Sequence, residues 1–288
     1  MIDLRHIESC AIALGIPSNA SHLRLLSRNM SHPDRVAIVS RFGEVFGTPP
    51  DGWRQWFGIR QPRITNAVVV TSLIPRQCDQ QSAAVMSWVN HGFRVTSVNT
   101  PEEIATAGPL YPLVSHWIAE SDLPPHYSKK TQWIHRLAHV SRDLSCDVWI
   151  INSDCLLIGD QQITKSAMAR GPAIVPRFNY RESFDDAEQE QWGLDAFYLP
   201  REIAAEIPKT CYAIGIPFWD YWLAWWLEQR HKISWVGAKL LYHKAHDLRW
   251  TPEEWYFGKE WFESTYGVKL NWEMWRQSKP CHSLPRAL

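Results

Sequence analysis

The chain has 288 residues, enough for one large domain or a domain with an appendage, and either buries a substantial core. Thirty Lys and Arg balance thirty Asp and Glu, so no global field draws the protein to nucleic acid or anionic lipid. The six cysteines (Cys10, Cys78, Cys146, Cys155, Cys211 and Cys281) form no CxxC, which argues against a zinc site or disulfide framework and suits a reducing cytoplasm. Residues 1–20 lack the basic start and apolar run of a signal peptide. The most apolar window, YAIGIPFWDYWLAWWL (212–227), is short and carries Pro217 and Asp220, so no integral membrane segment is expected.

In chain order, residues 1–62 stand apart. SHLRLLSRN (21–29) and SHPDRVAIVSRFGEVFG (31–47) read as short helices, the second capped by Ser31 with Pro33 and Asp34 in its first turn. A turn-rich break, TPPDGW, follows, and the whole is expected to be a helical appendage. From Ile64 strands alternate with helices. NAVVVTSLIP (66–75) reads as a buried strand, DQQSAAVMSWVNHG (79–92) as a helix, RVTSVNT (94–100) as a strand and PEEIATAG (101–108) as a helix. YSKKTQWIHRLAHVSRDL (127–144) predicts an amphipathic helix, CDVWIIN (146–152) a strand, a helix starts near Asp160, and GPAIVPRF (171–178) predicts another strand. This alternation predicts an α/β fold, a mostly parallel sheet with helices on both faces.

In such sheets ligands bind beyond the carboxyl ends of the strands. Three ends here turn polar: Thr71-Ser72 with Arg76 nearby, Asn99-Thr100, and Asn152-Ser153-Asp154. The chain has no GxGxxG after the first strand, no GxxxxGK[ST] and no GxSxG, which speaks against a dinucleotide dehydrogenase, a P-loop enzyme and a serine hydrolase. An acid beside oxygen ligands at a strand end suits Mg²⁺ or Mn²⁺, whose remaining positions are filled by phosphate and water.

Four blocks then occur in order: Asn-Ser-Asp at a strand end, GLDAFYLP (193–200), GIPFWDYWL (215–223) and HKAHD (243–247). Together they resemble the nucleotide-sugar glycosyltransferases of the GT-A fold, and most closely a bacterial and phage group, over residues 64–250. The resemblance implies a Rossmann-like GT-A domain over residues 63–288 with a Trp-rich C-terminal acceptor region. It implies transfer of a sugar from a UDP- or GDP-linked donor to a hydroxyl acceptor, with Mn²⁺ or Mg²⁺ as cofactor.

Residue by residue, it puts Asn152, Ser153 and Asp154 where the family has its D-x-D motif, Asp154 being the metal-binding acid. Asn152 replaces the first acid, so an Asn152→Asp change is expected to tighten metal binding. Thr71, Ser72, Arg76 and Asn99 fall at the strand ends that hold the donor, and Asp195 falls near the donor sugar. His243 and His246 stand where a late histidine completes the metal shell, with Asp247 to orient one imidazole. Asp220 stands at a helix start where inverting relatives keep their general base. Trp219 and Trp222 are expected near the acceptor, although Trp219, Trp222, Leu223, Trp226 and Leu227 also read as one buried helix face.

Seventeen tryptophans, eight of them between Trp219 and Trp261, leave a second reading open: a non-catalytic glycan-binding protein. A metal-dependent nucleotidyltransferase or hydrolase on the same scaffold is a third. The acceptor is left open among glycan, protein and modified nucleic acid.

Overall fold

The computed structural model describes residues 66–277 except 77, 128, 191–192 and 247–249, together with Lys279. The expected appendage, residues 1–62, lies outside the described residues. In chain order the elements are β1 (Ala67–Thr71), α1 (Cys78–Asn90), β2 (Arg94–Asn99), α2 (Pro101–Ala107), β3 (His116–Ala119), α3 (Ile134–Asp143), β4 (Asp147–Ile151) and β5 (Cys155–Leu157). There follow α4 (Gln161–Met168), β6 (Ala173–Val175), β7 (Arg177–Tyr180), β8 (Glu188–Gln189), β9 (Ala196–Leu199), α5 (Arg201–Glu206) and α6 (Trp219–Glu228). The last four are β10 (Ser234–Trp235), β11 (Leu241–Lys244), α7 (Pro252–Tyr266) and α8 (Trp272–Gln277).

Period-two alternation builds the core. Along β1, β4 and β9 the residues Ala67, Val69, Trp149, Ile151, Ala196 and Tyr198 point to one face, where they meet Trp88 and Val85 of α1. Val68, Val70, Val148, Ile150, Phe197 and Leu199 point to the other and meet α3, α5 and α6. Both faces are therefore covered by helices, which is why these strands read as unbroken apolar runs.

The large sheet has seven strands in the order β10-β6-β9-β4-β1-β2-β3. It is mixed. β1 runs parallel to β2 and β4, β2 to β3, and β6 to β10, whereas β9 is antiparallel to both β4 and β6. A second sheet of four strands, β5-β11-β7-β8, stands beside it.

One expected strand is split between the sheets. GPAIVPRF breaks at Pro176, which has no N–H for a ladder; β6 stays in the large sheet and β7 enters the small one. The run 232–243 likewise divides into β10 and β11. The helix expected from residue 127 starts only at Ile134, because the Thr131 hydroxyl and Tyr127 phenol are drawn to the carbonyls of Ile214 and Cys211, and Trp133 bridges to Ala213. No helix among the described residues is long and apolar enough to cross a membrane.

Candidate functional site

The small sheet assembles the first half of the site. β11 lies between β5 and β7, so His243 stands opposite Cys155 on one side and Asn179 on the other. Asp154 ends the turn that leads into β5, a turn closed by the Cys155 N–H donating to the Asn152 carbonyl at 3.1 Å. Its Oδ2 is thereby 3.5 Å from Nε2 of His243 and 3.5 Å from Nε2 of His246. The two Nε2 atoms are 3.1 Å apart, and one ligand-capable atom from each residue falls within 4.8 Å of the others.

The proton arrangement of His243 follows from its neighbour. Asn179 Nδ2 donates to the Glu190 carboxylate, which can only accept, so Asn179 Oδ1 faces His243 Nδ1 at 3.1 Å. Nδ1 therefore carries a proton, which in the neutral tautomer leaves the lone pair of Nε2 facing Asp154 and His246. That is the orientation of a metal-ligating histidine with its second nitrogen anchored. Burial by itself would raise the Asp154 carboxyl. With the two imidazoles protonated instead, hydrogen bonds from His243 and His246, and then their charge, outweigh it and hold the group well below the usual carboxylate range. One carboxylate oxygen and two imidazole nitrogens fit Mn²⁺ better than Mg²⁺, which favours an all-oxygen shell.

The second half is a buried cluster of charge. Arg177 of β7 places Nη1 2.6 Å from Asp195 Oδ2 and Nη2 3.4 Å from Glu190 Oε2. Asp195 also accepts from the Asn152 side-chain amide, and its backbone carbonyl accepts from the Asn152 N–H at 3.1 Å. Gly193 makes room for this: a Cβ there would lie 2.7 Å from Arg177 Cζ and 3.0 Å from Asp195 Oδ2.

Asp220, in the first turn of α6, accepts from the Leu194 N–H at 3.0 Å. It is 8% exposed. Burial, then the charge of Asp195, push its carboxyl up to about 7, against the N–H groups of Leu194 and Tyr221 and the Arg177 guanidinium. A carboxyl that ionises near neutrality has the property required of a general base. The helix that carries it is pinned. Phe218, its N-cap, has φ 80°, and its ring is clamped by Trp272 and Trp255 at centroid distances of 4.8 and 5.0 Å. Gly258 of α7 permits that approach, since a Cβ there would sit 2.7 Å from Phe218 Cβ.

The remaining expected residues fall in three kinds of place. Thr71 is buried at the end of β1, its hydroxyl without a hydrogen-bond partner among the described residues. Ser72 and Ser153 are half-buried, and Arg76 is exposed. Asn99 is buried, and its amide is spent on protein groups: it donates to Ser72 Oγ, the Leu73 carbonyl and Glu103, and accepts from the Ser97 hydroxyl. It ties the ends of β1 and β2 to α2.

Trp219 and Trp222 call for a correction. They are 3% and 0% exposed, Trp219 against Phe197 and Trp222 donating to the Tyr266 hydroxyl, so neither ring offers a face to an acceptor. The reason is that nine of the ten residues of α6 are buried. Asp247 lies outside the described residues; at His243 Nδ1 the orienting oxygen is that of Asn179.

Sequence reasoning missed Arg177, Asn179 and Glu190. For the first two a signal was present, because RFNY alternates polar and aromatic residues and so aims Arg177 and Asn179 at one face of β7. Glu190 has no such signal. Compared with known proteins, the chain matches no protein-family model and no curated protein.

Proposed function

We propose that this chain is a metal-dependent glycosyltransferase of the GT-A type, moving a sugar from a nucleotide-diphosphate donor to a hydroxyl acceptor by inversion. The observation that carries the reading is the convergence of Asp154, in the turn that follows the central strand β4, with His243 of β11 and His246 just beyond that strand. Asp154, His243 and His246 would hold Mn²⁺, which when bound neutralises charge on the departing diphosphate.

The chain's own residues do the rest. The strand ends carrying Thr71, Ser72 and Arg76 receive the nucleotide. Arg177 holds Asp195 in place, and Asp195 faces the donor sugar. Asp220 accepts the proton of the acceptor hydroxyl, whose oxygen bonds to the anomeric carbon from the face opposite the diphosphate. The anomeric carbon–oxygen bond breaks and its electron pair leaves with the diphosphate. The mixed seven-stranded sheet, with Asp154 at the carboxyl end of β4, supports the GT-A assignment. Burial of the α6 tryptophans removes their support for a glycan-binding module.

The test is release of nucleoside diphosphate from a panel of UDP- and GDP-sugars with Mn²⁺ and a mixed hydroxyl acceptor pool. The reading requires a glycosylated product. Release without any transfer product favours a hydrolase, and no consumption of any donor contradicts the assignment.

A further inference from the structure

Arg177 packs against the stretch of chain that faces the candidate base. A Cβ at Gly193 would lie 2.7 Å from its Cζ, so the guanidinium rests directly on the backbone there. Its Nη1 holds Asp195 Oδ2 at 2.6 Å. Between these two contacts the Leu194 N–H donates to Asp220 Oδ2 at 3.0 Å. Residues 193–195 belong to no helix or strand, so no ladder of their own fixes that donor. One arginine grips the segment on both sides of it, and Asn152 holds Asp195 from the other direction.

The same guanidinium sets the balance of charge. The charged groups acting on Asp220 are Asp195, which opposes its ionisation, and Arg177, which favours it. Glu190, 3.4 Å from Nη2, draws on the same cation. Asp195 and Asp220 are 4% and 8% exposed, so water screens these charges poorly and their effect reaches across the cluster. Without Arg177, a base that must shed its proton would face an uncompensated carboxylate.

We infer that Arg177 is the positioning residue of Asp220: it keeps the Leu194 N–H on that carboxylate and offsets Asp195, so that Asp220 can work as a base. Arg177 acts here through Asp220 and not on the substrate. The inference rests on the reading of Asp220 as the general base.

Carboxyl ¹³C NMR of the full chain tests it by pH titration without donor, acceptor or added metal, the Asp220 signal being assigned by its loss in Asp220→Asn. Arg177→Met should raise the Asp220 midpoint by about 1–3 pH units, the effect of losing a close opposite charge. Arg177→Lys keeps the charge but cannot fork between Asp195 and Glu190, so it should restore part of the difference. Arg177→Met also leaves a buried carboxylate without its partner, which destabilises the fold. Gly193→Ala is therefore a second probe, because its methyl displaces the guanidinium while every charge is kept. It should move the Leu194 amide signal and raise the midpoint. A wild-type midpoint in folded Arg177→Met or in Gly193→Ala overturns the proposal. So does a midpoint in Arg177→Lys that has risen as far as in Arg177→Met. Since the titration needs no substrate, failure of sugar transfer would count against the proposed function and leave this result standing.

Discussion

Asn179 Oδ1 stands 3.1 Å from His243 Nδ1, a contact dictated by the parallel register of β11 on β7. It links the candidate metal ligands to the buried charge cluster, because Asn179 is held by Glu190 and Glu190 by Arg177. Asn179→Ala should therefore weaken Mn²⁺ binding about 10–100-fold without unfolding the chain. His243→Ala and His246→Ala should weaken it further. Electron paramagnetic resonance of free Mn²⁺ reads all three, and unchanged affinity throughout would make the histidines structural.

Asn152 yields an outcome opposite to the one the sequence suggests. Its amide donates to Asp195, so Asn152→Asp replaces a donor with a carboxylate facing another carboxylate. The variant should gain no Mn²⁺ affinity and should lose about 1–3 kcal/mol of stability in urea unfolding. Tighter Mn²⁺ binding at unchanged stability would show that the Asp195 contact is dispensable.

For Asp220 the pH dependence has a definite sign. Its carboxyl is raised from 3.8 to about 7, so between those values the folded chain keeps a proton that the unfolded chain has released. Wild-type stability relative to Asp220→Asn should thus fall as pH rises through that window and level off above it. Activity should run the other way, rising with pH toward a plateau above about 7 as the base form appears. Asp220→Asn should lose about 10²–10⁴-fold in transfer while binding nucleotide normally. NMR of the product should show inversion, and retention would remove the general-base role.

Trp219 and Trp222 belong to stability rather than recognition. Trp219→Ala and Trp222→Ala should each cost about 3–5 kcal/mol in chemical denaturation, as large core truncations do. Below their melting transitions, KM for the acceptor should stay near wild type. A selective rise in KM at unchanged stability would return these rings to the acceptor site.

Local rules made much of the scaffold readable. The apolar run of β1, the Thr100 capping box with Pro101 and Glu103, and Asp160 capping α4 each announce themselves within a few residues. Strand direction did not. AFYL of β9 is as apolar as its neighbours, and only its place between β4 and β6 makes it antiparallel. The small sheet was hidden for a related reason, since its strands are short and interrupt runs that read as continuous. The approach of Asp154 to His243 depends on that sheet, so spacing along the chain could not locate it; only the resemblance named both residues. Glu190 serves through its pairing with Asn179 and Arg177, which leaves little trace in a one-dimensional pattern.

Titration calorimetry with UDP, GDP and CDP, with and without Mn²⁺, tests the central claim most directly. The wild-type chain should bind at least one nucleoside diphosphate in a Mn²⁺-dependent manner, and Asp154→Ala should lose the metal-dependent part of that affinity while remaining folded. Equal affinity in wild type and Asp154→Ala, or no binding of any of the three with Mn²⁺ present, would contradict a donor site built on Asp154, His243 and His246.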